Sequence, residues 1–178
     1  EGRTEPMISS RARRSLATLL LAGSLILTAC GTVDKDPVSA ETATAATVTS
    51  IDAQRISLPA AGKPTAVFFF SVGCGECVGG VRSLGQAAAA AEEAGIDAQF
   101  LAVDMDPREP TETIQRFMEY VDAVHVPAAI DEGAALSQRF GVAALSTLII
   151  VDSDGQVTFR ATDPDADTIV SALHKAGA

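Results

Sequence analysis

Cys74-Gly75-Glu76-Cys77 holds two thiols three residues apart, just after the apolar run Val67-Phe68-Phe69-Phe70 and at the head of an alanine-rich stretch, Val78 to Ala94. Two sulfurs at that spacing on the first turn of a helix suit thiol–disulfide exchange. The helix amides and dipole favour a thiolate at Cys74, and Cys77, one turn on, can attack the mixed disulfide that forms there. C-x-x-C also occurs in zinc sites, but after a strand and before a helix it reads as a redox pair. Glu76 is the candidate for tuning that pair. A carboxylate between the cysteines disfavours the thiolate and stabilises the disulfide, giving a more reducing couple.

The elements that must position the dithiol follow from the periodicity of the chain. Thr47 to Leu58 predicts a short β element or hairpin, bounded by Pro59 and Gly62. Continuous apolar runs predict buried strands at Thr65 to Ser71 and Gln99 to Val103. Glu76 to Ala94 predicts a helix, in which Gly79, Gly80 and Gly85 each cost about 1 kcal/mol relative to alanine. An amphipathic helix is expected from Pro110 to Val121, with Ile114, Phe117, Met118 and Val121 on one face. A short strand (Ala128 to Ile130), a short helix (Ala134 to Phe140) and a strand (Thr147 to Asp152) come next. Asp154-Gly155 turns into a strand at Gln156 to Ala161, and Asp165 to Lys175 is a final helix with acids at its start and His174 and Lys175 at its end. This order predicts an α/β fold, a central mixed sheet flanked by helices.

A third cysteine, Cys30, closes Leu27-Thr28-Ala29-Cys30 after Arg11, Arg13, Arg14 and an apolar run of 14 residues from Leu16 to Ala29. A basic segment, a short apolar run and small residues describe a bacterial secretory signal at 1–29, read from Met7. Spanning a bilayer takes roughly 20 apolar residues. Leu-Thr-Ala-Cys resembles the lipobox of bacterial lipoproteins, which implies cleavage before Cys30 and acylation of its thiol. Residues 30–46 then form a flexible tether, and 47–178 one domain. Net charge is −10 for the chain and −12 without residues 1–29. Such a body does not bind nucleic acid or anionic lipid electrostatically, so the lipid must supply the membrane contact. The expected location is the outer face of the bacterial cell membrane, where a dithiol needs a dedicated reductant or rests as a disulfide.

From Thr47 to Ala178 the chain resembles the TlpA-like extracytoplasmic thiol–disulfide oxidoreductases of the thioredoxin fold. The resemblance rests on Gly62-Lys63-Pro64-Thr65, the C-x-x-C, Ala102-Val103-Asp104, Gln115-Arg116-Phe117, Phe140-Gly141-Val142, Thr147 to Asp152 and Asp154-Gly155. It implies a thioredoxin fold with an N-terminal β extension and an inserted strand–helix. It also implies Cys74 as nucleophile, Cys77 as resolving cysteine, and a membrane thiol-relay donor that restores the dithiol. Substrates would be extracytoplasmic protein disulfides, such as the haem-attachment cysteines of apocytochrome c or copper-site cysteines. The protein is expected to act as a monomer, without a cofactor or a resident metal.

Three positions depart from that family. Ser146 stands where the family has a cis-proline, and a non-proline cis bond costs about 2.5–4 kcal/mol, so Leu145–Ser146 is expected to be trans. Its hydroxyl is expected near Cys74, and in the family losing this proline can open the dithiol to metals. Gly73 replaces the usual tryptophan, in a chain with no tryptophan at all, and Phe68 replaces a buried acidic or polar residue. Proton transfer to Cys77 then falls to Glu76 or water. Two other readings of the dithiol compete: a soft-metal-binding module, with His125 or Met105 as further ligands, and a thiol peroxidase. The second rests on Ser71-Val72-Gly73-Cys74, with Arg139 as its activating cation. Asp104 and Asp106 end a strand on the side where α/β sites gather, and read as turn residues.

Overall fold

A β-hairpin precedes the main sheet. In the computed structural model, which describes residues 45–178, β1 (Ala46–Thr49) pairs antiparallel with β2 (Arg55–Leu58). The signal at 1–29, the start at Met7, Cys30 and the tether up to residue 44 lie outside the described residues. Alternation buries Ile56 and Leu58 and leaves Arg55 and Ser57 exposed, as a strand with one covered face requires.

Five strands make the main sheet: β3 (Thr65–Phe70), β4 (Gln99–Asp104), β5 (Ala128–Ile130), β6 (Thr147–Val151) and β7 (Val157–Thr162), in the order β5-β4-β3-β6-β7. β3 runs parallel to β4 and β4 to β5, while β6 is antiparallel to both β3 and β7. Every residue of β3 is buried because helices cover one face of the sheet and the hairpin covers part of the other. On the first face Ala66, Phe68 and Phe70 pack with α1 (Cys77–Ala94), α2 (Thr111–Tyr120) and α4 (Ala166–Lys175). On the second, Val67 and Phe69 pack with Ile56 and Leu58 of the hairpin and with α3 (Ala135–Arg139). The α/β thioredoxin fold expected from the sequence is the fold observed.

Two local differences from the sequence reading have physical causes. The helix expected over Ala134–Phe140 is a 3-10 turn, Glu132–Ala134, followed by α3, because Gly133 and Ala134 both take positive φ and break the run. Asp131 holds the break, its two carboxylate oxygens accepting the amides of Leu136 (2.8 Å) and Ser137 (3.1 Å). In α1, Gly80 is a packing residue as well as a helix weakener. A β-carbon there would lie 2.1 Å from Cζ of Phe68, so only glycine lets the helix sit on the centre of β3.

Candidate active site

β3 ends at Phe70, and Ser71 to Glu76 carries the chain from the C-terminal edge of the sheet into α1. The turn closes on itself: the Cys74 amide donates to the Ser71 carbonyl (2.9 Å), and the Cys77 amide to the Cys74 carbonyl (3.1 Å). Glu76 is the N-cap of α1, yet no side-chain oxygen caps the helix. The Cys74 sulfur serves instead, accepting the Cys77 amide at 3.2 Å. A sulfur in that place feels the unpaired amides and positive end of the helix, which favours negative charge on it.

Cys74 and Cys77 are joined in a disulfide with their Cα atoms 5.4 Å apart. The two sulfurs are unequal in access. Cys77 is 0% exposed and packs in the core with Phe70 and Val81, whereas Cys74 is half-buried at the rim. An external partner meets Cys74 first, and Cys77 is reached only from within the molecule. Glu76 points to solvent, beside the pair.

Ser146 has the expected trans bond together with a left-handed backbone. The Leu145–Ser146 peptide is trans, the cis bond among the described residues being Leu58–Pro59, and Ser146 adopts φ +60°. Its hydroxyl donates to Oδ1 of Asp163 (2.5 Å), and the Asp163 amide returns a bond to the Ser146 carbonyl (3.1 Å). The recorded partner of the hydroxyl is thus a carboxylate on the β7–α4 connection, with no hydrogen bond to Cys74. Asp163 also has positive φ, +46°. Left-handed geometry costs a non-glycine residue about 1–2 kcal/mol, and the reciprocal bonds help hold both residues there. The same Oδ1 lies 3.0 Å from the β-carbon position of Gly80, one helical turn beyond Cys77. Sequence reasoning missed Asp163, since Thr162-Asp163-Pro164-Asp165 reads only as a helix approach.

Other candidates go elsewhere. His125 is exposed, with Nε2 2.9 Å from the Gly85 carbonyl, and so fastens the loop after α2 to α1. Met105 packs with the hairpin-side core, on the opposite face from Cys77. Arg139 lies on α3 and lines a cavity of about 660 Å³ with β1, Asp131 and Leu136. None of the three is hydrogen-bonded to the dithiol, and His125, although it meets α1, does so at Gly85, two turns beyond Cys77. Among the described residues no cluster of three or more His, Cys, Asp or Glu side chains is arranged to hold a metal ion.

Asp104 does more than end a strand. It is 0% exposed, opposite Phe70 in the parallel register, and Oδ1 accepts the Asp106 amide at 2.7 Å. That bond is the turn role expected. Oδ2 is buried with no partner. Burial, with the Glu109 and Asp106 carboxylates adding to it, pushes Asp104 up to about 6, while the amides of Asp106 and Val72 act the other way. Asp106 itself is held below the usual carboxylate range by the Arg108 amide and side chain.

Residues 38–176 match the Redoxin family. The chain belongs to that family. A Streptomyces lividans protein described as mercury resistance operon ORF3 is 58% identical over 140 residues, covering 79% of this chain and 74% of the relative. Solved structures share the fold at low identity. StoA of Bacillus subtilis is 14% identical with a TM-score of 0.64, covering 73% of this chain and 96% of its own. The exposed lipoprotein thioredoxin Etrx1 of Streptococcus pneumoniae is 19% identical with a TM-score of 0.62, covering 74% and 99%. Membership of the Redoxin family, with a rim cysteine bonded to a buried one at a helix start, makes this protein a thiol–disulfide oxidoreductase of the thioredoxin fold.

Proposed function

We propose that the protein is a lipid-anchored, monomeric reductase of protein disulfides on the outer face of the bacterial membrane. The observation that supports it best is the unequal exposure of the bonded pair, a rim Cys74 whose sulfur accepts a helix amide and a fully buried Cys77. The Cys74 thiolate attacks one sulfur of a target disulfide, and the other target sulfur leaves as a thiolate and takes up a proton. Cys77 then loses its proton and attacks the Cys74 sulfur, which releases the second target thiol and leaves Cys74–Cys77 oxidised. A membrane thiol-relay donor returns two electrons and two protons. Anchoring rests on Cys30 and the lipobox resemblance, and Glu76 beside the pair favours the disulfide and hence the reducing direction. Haem-attachment or copper-site cysteines are the substrate classes in view.

The test is a Cys77→Ser variant, which cannot resolve the mixed disulfide and should trap a membrane or exported protein on Cys74. Absence of any trapped partner, together with full function in a Cys74→Ser strain, would overturn the proposal. A second reading has one observation in its favour, the relative described from a mercury resistance operon. The reduced dithiol would then bind a soft cation such as Hg²⁺ through Cys74 and Cys77. Stoichiometric Hg²⁺ uptake that disappears on oxidation, without a trapped protein partner, would favour it.

A further inference from the structure

We propose that Asp104 is a positioning residue for the dithiol, a buried carboxylate whose charge governs the reactivity of Cys74 through the Ser71–Gly73 loop. The inference rests on the dithiol being the working site. Alternation along β4 puts Asp104 on the same face of the sheet as Ala102, where Phe70 and Cys77 also pack. It sits at the edge where β3 gives way to the dithiol loop, directly beside Phe70, four residues before Cys74. The neighbouring backbone is fastened on both sides: the Met105 amide donates to the Phe70 carbonyl (2.8 Å), and the Asp131 amide to the Asp104 carbonyl (2.8 Å).

The turn does not need the charge. One oxygen suffices for the Asp106 amide, and a neutral asparagine could supply it. Yet Oδ2 is buried without a partner, which is costly for an ionised group. A charge kept at such a cost beside a redox loop acts on what the loop carries. An ionised Asp104 opposes a thiolate on Cys74, whereas a protonated one does not. Burial brings its titration up to about pH 6. The other groups near it are carboxylates or already engaged. Asp106 pairs with Arg108, Glu109 adds negative charge, and Asp131 spends both oxygens on α3. From the start of α1 only Glu76 is charged, and it is exposed.

The experiment is the rate of iodoacetamide alkylation of Cys74 against pH, read by mass spectrometry on the reduced full chain, for wild type and Asp104→Asn. Wild type should show an inflection near pH 6 besides the thiol's own. Asp104→Asn should lose that inflection and react at least about threefold faster at pH 7. Superimposable profiles would overturn the role of Asp104 while leaving the dithiol reading intact. A wild-type Cys74 no more reactive than an ordinary exposed thiol would instead sink the dithiol reading. If Asp104→Asn does not fold, the wild-type profile decides, and a single thiol titration with no inflection near pH 6 overturns the proposal.

Discussion

Gly80→Ala tests how closely α1 sits on the sheet. The added methyl would lie 2.1 Å from Cζ and 2.5 Å from Cε2 of Phe68, and 3.0 Å from Oδ1 of Asp163. Carbon atoms pack at about 3.5–4.0 Å, so ring or helix must retreat by about 1.5 Å. Phe68 has no room to do so, being fully buried on a strand hydrogen-bonded to neighbours on both edges. Forcing a methyl into such a core costs about 1–3 kcal/mol or more, while replacing a helical glycine by alanine returns about 1 kcal/mol. An approach as close as 2.1 Å puts the cost at the upper end, so the net expectation is a loss of about 2 kcal/mol. Gly79 is the control next door. Nothing lies within 4 Å of its β-carbon position, so Gly79→Ala should gain about 0.5–1 kcal/mol. Urea unfolding of the oxidised protein, followed by far-UV circular dichroism, gives both values. Equal effects, or a Gly80→Ala variant as stable as wild type, would refute the packing of α1 directly on Phe68.

Asp104→Asn should change stability as a function of pH. Burial raises this group from 3.8 to about 6, so the native state binds its proton more tightly than the unfolded chain does. Wild-type stability from this group is therefore greatest below about pH 4 and falls as pH rises to about 6, by about 3 kcal/mol in all. The variant should match wild type at pH 4 and exceed it at pH 7 by up to that amount, measured by urea titration at both; an unchanged difference would contradict the burial argument. Asp163→Ala removes the acceptor of the Ser146 hydroxyl and should cost about 1 kcal/mol in the same assay, with Asp163→Asn costing less. The oxidised protein should be more stable than the reduced by about 2 kcal/mol, the loop-closure value for so short a ring. A more stable reduced form would mark an oxidant and reverse the proposed direction of electron flow.

Much of the molecule is legible along the chain because it depends on neighbours in sequence. Val67-Phe68-Phe69-Phe70 is apolar on both faces and so must be a covered strand, and the cysteines behind it must open the next helix. Asp165 caps α4 through the amide of Thr168, three residues on (2.8 Å), the kind of local bond a sequence discloses. The trans state of Leu145–Ser146 is the one favoured where a proline is missing, and packing does not override it. Tertiary packing decided what lies far apart in sequence. Ser146 meets Asp163 across 17 residues, and His125 reaches Gly85 across 40. Gly80 reads as a helix defect until Phe68 is seen beneath it. Asp104 reads as a turn residue until its second oxygen is found buried without a partner. Periodicity says which face a side chain is on, whereas desolvation and partnership are set by whatever other segments bring to that face.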